Sequence, residues 1–220
     1  MTAGLTTPVL EPKVVALLDD GLAELGLCPD ARQRERLLAL LALLHKWNRA
    51  YNLTAVRSLD AMVTRHLLDS AAVLPAVHGP GLLDVGSGPG LPGLVVAILR
   101  PDVTVTLLDS NGKKVRFQRQ AVLELGLTNA VPVQARVESY EDRPFAQVIS
   151  RAFASLEDFV SLTEPLLAVD GEWLAMKGRL LEDELQRLPE GVELVDRQAL
   201  RIPGAPGQRH LLTLCRRLTP

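Results

Sequence analysis

The chain has 220 residues, a net charge of −2 and 47% apolar residues, which suits one core and leaves too little length for two full domains by default. No unbroken apolar run approaches the roughly 20 residues that span a bilayer, and Met1-Thr2-Ala3-Gly4 is not a basic stretch leading into an apolar one, so no membrane, secretory or transit segment is expected and the cytoplasm is the natural compartment. A near-neutral charge also excludes a broadly basic surface, leaving any RNA contact to local patches.

The first part of the chain reads as helices. Val14, Leu18, Leu22 and Leu25 repeat at helical spacing up to Gly26, and Leu37, Leu40, Leu41, Leu44 and Trp47 mark a second stripe. A third follows Asp60, with Val63, Leu67, Ala71 and Leu74 before Pro75. From Gly81 the texture changes to short apolar runs that alternate with amphipathic stretches, the pattern of βαβ units in a parallel sheet. The predicted strands are Leu82–Val85, Val103–Leu108, Ala130–Gln134, Gln147–Ser150 and Trp173–Met176, each followed by a predicted helix. Val192–Ile202 and His210–Arg216 then read as an antiparallel hairpin around Pro203-Gly204-Ala205-Pro206-Gly207. The expectation is an α/β fold with a mostly parallel, seven-stranded, Rossmann-like sheet ending in a hairpin. A mostly parallel sheet ending in a hairpin is the usual plan of S-adenosylmethionine (SAM)-dependent methyltransferases. The family resemblance given below implies the class I form of that fold, with residues 1–78 as a helical extension packed on the sheet and residues 79–220 as the core.

The most informative stretch is Asp84-Val85-Gly86-Ser87-Gly88-Pro89-Gly90-Leu91-Pro92-Gly93, between a predicted strand and a predicted helix. Gly88 to Gly93 literally match the G-x-G-x-x-G dinucleotide fingerprint. Pro89 and Pro92 each remove an N–H that a pyrophosphate would use. Asp84 at the strand end is expected to favour a cationic cofactor over a dianionic one. These features point to SAM, with Asp84, Gly86, Gly88 and Gly90 at its site. Asp109 ends the next strand, nineteen residues after Gly90, near the spacing at which an acid meets ribose hydroxyls; capping the helix that starts near Lys113 is the alternative. Arg136-Val137-Glu138 sits where an adenine would lie, with Val137 offering main-chain and apolar contact and Glu138 equally able to cap a helix.

The acceptor is read mainly by elimination. Methylation at pyrimidine carbon-5 needs a cysteine nucleophile, and neither Cys28 nor Cys215 lies at a strand end of the central sheet; both read as reduced, structural and buried. Exocyclic-amine methyltransferases carry an Asn/Asp-Pro-Pro-aromatic segment, where this chain has Ser150-Arg151-Ala152-Phe153. A guanine N7 has a free lone pair and loses no proton, so it fits a site without an obvious base. Arg151 is the expected catalytic residue, on a guanine edge or a phosphate; a surface ion pair is its plainer use. Phe153 can stack on a base or belong to the core.

The order of motifs resembles the RsmG family, also called GidB, from about Leu44 to Leu212. The resemblance rests on His45-Lys46-Trp47-Asn48, Tyr51-Asn52-Leu53-Thr54, Arg65-His66-Leu67-Leu68-Asp69-Ser70, the Asp84–Gly93 loop and Leu107-Leu108-Asp109-Ser110 with Lys113-Lys114-Val115-Arg116-Phe117. It continues through Arg136-Val137-Glu138, Ser150 to Ser155, Met176-Lys177-Gly178 and Arg209-His210-Leu211. It implies methyl transfer from SAM to N7 of a guanosine in the 530 loop of 16S rRNA (position 527), with 16S rRNA or the small ribosomal subunit as partner and no stable protein partner. By matching position it places Gly86, Leu91, Val137 and Glu138 on SAM and Arg151 between cofactor and substrate. Lys113, Lys114, Arg116 and Arg119 form an expected basic helix face for phosphates, joined by Lys177 and Arg209. Arg65, His66 and Asp69, within about one helical turn, are expected to wall the RNA or cofactor pocket or to pack as a paired helix. No metal site is expected, since His66 has no ligand partners at suitable spacing. A methyltransferase of other substrates and a non-enzymatic nucleotide-binding module are the competing readings.

Overall fold

The computed structural model describes residues 10–153, 155–178 and 182–217; Ala154 of the Ser150–Ser155 motif lies outside them. Helix α1 (Pro12–Glu24) starts on a proline, which has no N–H to waste there, and buries Val14, Leu18 and Leu22. Helix α2 (Ala31–Tyr51) opens with a reciprocal cap in which Asp30 accepts from the Gln33 N–H at 2.7 Å and Gln33 accepts from the Asp30 N–H at 2.9 Å. The third predicted helix is three pieces: α3 (Leu59–Met62), a π-helical segment (Val63–Leu68) and α4 (Asp69–Ala71), followed by a 3-10 turn at Leu74–Ala76.

The sheet holds seven strands in the order β3-β2-β1-β4-β5-β7-β6. Strands β1 (Gly81–Val85), β2 (Thr104–Asp109), β3 (Ala130–Gln134), β4 (Phe145–Ser150) and β5 (Leu167–Lys177) are parallel. The hairpin of β6 (Val192–Ala199) and β7 (His210–Arg216) is antiparallel, with β7 against β5. Four helices complete the core: α5 (Gly93–Leu99), α6 (Gly112–Leu125), α7 (Leu156–Thr163) and α8 (Glu182–Gln186). Chain order reverses between β1 and β4, and the strand ends at such a switch point open into a crevice where ligands bind.

Three expectations need correction. The fifth strand is much longer than predicted: it reaches back to Leu167, which still pairs with Phe145 of β4, across a shift in register where Asp170-Gly171-Glu172 interrupts its apolar pattern. The third strand is followed only by a 3-10 turn, Val137–Ser139, instead of a helix. The sixth strand stops at Ala199; Ile202 leaves the ladder and is buried in the cluster beneath the N-terminal helices.

Because neighbouring residues of a strand face opposite ways, the sheet carries two apolar layers. Leu82, Val105, Leu107, Ile149 and Leu174 pack with α5, α6 and the N-terminal helices, whereas Leu83, Leu108, Val148, Trp173 and Leu214 pack with Leu156, Phe159 and Val160 of α7. The residues before β1 therefore share one continuous core with the sheet. Leu41 of α2 is fully buried in that shared layer. Leu41→Ala is expected to remove about 2–5 kcal/mol of stability, read as a lower urea midpoint; a loss under about 1 kcal/mol, the scale of an ordinary substitution, would contradict the shared core.

Candidate active site

Two adjoining cavities open at the carboxyl ends of β1, β2 and β4. The larger, about 440 Å³, is lined by Gly86, Asp109, Asn111, Val137, Glu138 and Phe153 among others. The second, about 220 Å³, is lined by Leu53, Thr54, His66, Gly88, Leu91 and Arg151 among others. Gly86, Lys114 and Ala152 border both.

The loop between β1 and α5 closes on itself. The N–H groups of Gly86 and Ser87 donate to Leu108 O, that of Gly88 to the Asp109 carboxylate, those of Gly90 and Leu91 to Ser87 O, that of Gly93 to Asp84, and that of Leu94 to Gly90 O. Pro89 and Pro92 have none. Every N–H from Gly86 to Leu94 is thus already donated inside the chain, and a pyrophosphate would find no free backbone donor. Gly86 has φ +66°, and a Cβ there would sit 2.8 Å from the Ala152 Cβ, so only glycine lets this turn pass beneath the β4 end. A Cβ on Gly93 would run into Leu107 and the Asp84 carboxylate.

Asp84 requires a correction. It was expected to face the cofactor, yet it is 0% exposed and absent from the lining of both cavities. One oxygen accepts from Gly93 N–H at 2.7 Å, and the other has no partner among the described residues. Burial pushes its pKa up to about 7 despite the Gly93 hydrogen bond, which holds it down. Asp109 does border the larger cavity. It is not the helix cap: Asn111 caps α6 by accepting from Lys113 N–H at 3.0 Å. The Asp109 carboxylate instead accepts from Gly88 and Asn111 N–H, each at 2.8 Å, and each oxygen keeps a second lone pair for a ligand hydroxyl.

The basic residues of α6 do not share one face. Lys113, Arg116 and Arg119 are exposed, whereas Lys114 turns inward to 3.9 Å from Asp109 Oδ2. One turn on, the buried Gln118 donates to Ser87 Oγ and Gly88 O. The helical phase separates these two sets, and Lys114, Phe117, Gln118 and Ala121 trace the inward stripe that composition alone obscured. Lys177 points to Glu184 at 2.7 Å and is largely enclosed. Phe153 packs on Phe159 with ring centroids 5.4 Å apart while also bordering the larger cavity. Cys28 is exposed and Cys215 only half-buried, so the expectation of two buried thiols was wrong.

The residues before β1 supply one wall of the smaller cavity. Buried Asn48 accepts from Thr54 N–H at 2.9 Å and donates to Val56 O at 2.8 Å, pinning the loop after α2. Thr54 Oγ1 in turn lies 2.9 Å from His66 Nε2, and His66 Nδ1 lies 3.0 Å from Arg65 O. A carbonyl only accepts, so Nδ1 carries the proton and Nε2 accepts from the threonine hydroxyl. Burial, then the Arg151 guanidinium, lowers the His66 pKa to about 4, which keeps the ring neutral. Arg65 is exposed and contributes its carbonyl, to which Arg151 Nη1 donates at 3.3 Å. Arg151 and Arg209 both pair with buried Asp69, at 3.1 and 3.0 Å; the short spacing of Arg65, His66 and Asp69 gave no sign of these distant partners. Among the described residues no group of three or more His, Cys, Asp or Glu can hold a metal ion, and no helix is long and apolar enough to cross a membrane.

Because the Asp84 pKa is raised on folding, its protonation stabilises the folded chain fully below the ordinary carboxylate range, and that contribution is lost as pH rises through about 7. Against Asp84→Asn, which does not titrate, the native chain is expected to lose at least the ~1.4 kcal/mol of one pKa unit between pH 5 and pH 8. Urea unfolding at both pH values reads this, and parallel profiles for the two proteins would contradict it.

Among solved structures, the glycopeptide N-methyltransferase MtfA, complexed with SAM, aligns with TM-score 0.58 at 12% identity over 69% of this chain and 94% of its own. A TehB-like SAM-dependent methyltransferase from Corynebacterium glutamicum aligns with TM-score 0.54 at 16% identity over 80% and 98%. The fold is that of the SAM-dependent methyltransferases. In sequence, a ribosomal RNA small subunit methyltransferase G from Chromohalobacter salexigens is 67% identical over 94% of this chain and all of its own length. One of the same name from Pseudomonas syringae pv. tomato is 53% identical over 94% and 99%. The profile described as rRNA small subunit methyltransferase G matches residues 33–212, so the chain belongs to that family.

Proposed function

We propose that the chain transfers a methyl group from SAM to N7 of a guanosine in the 530 loop of 16S rRNA, position 527. The observation that carries the choice of cofactor is the closed loop: with its N–H groups already donated, the turn between β1 and α5 offers no backbone cradle for a diphosphate. The larger cavity suits an adenosine, with Asp109 to accept from ribose hydroxyls and Val137 and Glu138 beside the base. Gly86, Gly88 and Leu91 border the methionine end, while Gly90, like Asp84, acts from inside the loop. Lys114, at the junction of the cavities, is positioned to meet a carboxylate. SAM supplies an electrophilic methyl group on a sulfonium; the chain's part is to hold the acceptor in line with it.

The choice of N7 is supported by the second cavity. Among the described residues no carboxylate lines it, and both nitrogens of neutral His66 are engaged. An acceptor that must lose a proton would lack a base there, whereas N7 loses none. Arg151 would touch the guanine edge. Arg65, Lys113, Arg116 and Arg209 are available to RNA phosphates, and Lys177 only if Glu184 releases it. The cytoplasm, where unmodified ribosomal RNA is met, is the compartment this reading requires.

The test is labelled SAM with small-subunit RNA and particles lacking the modification, followed by mass mapping of N7-methylguanosine. Label at a single 530-loop guanosine is expected; no label at any guanine N7 would overturn the assignment. Arg151→Ala is expected to lower kcat about 100-fold while shifting the unfolding midpoint by only about 2–4 °C. Unchanged turnover would remove Arg151 from the site.

A further inference from the structure

Asp69 lies outside the glycine loop and lines neither cavity. It begins α4 directly after the π-helical segment, its side chain is 5% exposed, and its two oxygens serve two different arginines. Oδ2 accepts from Arg151 Nη1 at 3.1 Å, and Oδ1 accepts from Arg209 Nε at 3.0 Å. Arg151 follows β4 and Arg209 precedes β7, so one carboxylate from the N-terminal helices ties together two separate strand ends. A buried carboxylate is tolerated only when paired and hydrogen-bonded, and this one is paired twice.

The pairing leaves donors over. Among the described residues Arg151 uses only Nη1, toward Asp69 and the Arg65 carbonyl, so Nε and Nη2 remain uncommitted. Its side chain is 27% exposed and borders the smaller cavity. Arg209, 34% exposed, gives Nε to Asp69 and Nη1 to Gln208 O. A long guanidinium without such a partner samples many rotamers; one locked through a charge-assisted bond presents its remaining N–H groups in a fixed direction. Asp69 also offsets one of the two positive charges, which matters where methylation of N7 makes the base cationic.

We propose that Asp69 is a positioning residue for methyl transfer, holding Arg151 against the acceptor cavity with Arg209 as the second anchor that stops the carboxylate from turning. This rests on the reading of the site as a guanine-N7 methyltransferase. It gives the N-terminal helices a part in the chemistry beyond covering the sheet.

The experiment measures kcat, the KM for small-subunit RNA and SAM affinity by calorimetry for the whole chain and its variants. Asp69→Asn is expected to lower kcat by roughly 100-fold, the cost of misplacing an aligned group by about 1 Å, with SAM affinity unchanged. Placed on Arg151→Ala, Asp69→Asn is expected to add no further loss, because groups acting through one another are not additive. Arg209→Gln, at a more exposed position, serves if Asp69→Asn does not fold; it is expected to lower kcat, whereas a mere phosphate contact would raise only the KM for RNA. An active Asp69→Asn, a full additive loss in the double variant, or a fall in SAM affinity matching the fall in kcat overturns the proposal while the native chain still methylates RNA. A native chain that leaves RNA unlabelled overturns the functional reading and this proposal with it.

Discussion

The site depends on two buried carboxylates holding one glycine loop by its N–H groups. Asp84 at the end of β1 takes Gly93, and Asp109 at the end of β2 takes Gly88. Both bonds are charge-assisted when the acid is ionised, and together with the Leu108 and Ser87 carbonyls they use up the donors that a dinucleotide-binding turn leaves pointing at its ligand. A turn that matches the dinucleotide fingerprint by spacing is therefore not built like one. What discriminates is where the N–H groups go, a question of accounting that applies to any buried backbone.

The same loop shows how far sequence reasoning reaches. The glycines, the prolines and the strand before them were legible because turn chemistry is local. The helical stripes of α1 and α2 and the hairpin of β6 and β7 were legible for the same reason, since each follows from a short repeat. Asp84 was found but misplaced: its position in the motif says that a carboxylate stands at the strand end, and nothing local says whether it points up to the ligand or back beneath the turn. Lys114 was assigned to a basic face by proximity in sequence, although the helical phase already set it on the side of Gln118. Asp69 was noticed for its neighbours one turn away, while its true partners lie 82 and 140 residues further along the chain. No periodicity carries that information.

The N-terminal helices belong to this account as more than a cover. Their apolar residues complete one layer of the core, and their polar residues build the wall of the smaller cavity through a relay from Asn48 to Thr54 to His66. Burial and the neighbouring Arg151 guanidinium keep that imidazole neutral. Among the described residues no carboxylate lines the resulting pocket, and both nitrogens of the imidazole are engaged. Fold and chemistry are coupled here because the helices that fill the core also line the site.

The central claim, that the loop is shaped for a sulfonium nucleoside and closed to a diphosphate, is tested most directly by titrating the whole chain with SAM and, separately, with NAD in a calorimeter. The account predicts saturable heat with SAM and none with NAD at equal concentrations. Saturable binding of NAD with no heat from SAM would contradict it, because the loop N–H groups would then have to leave Asp84 and Asp109 to serve a phosphate.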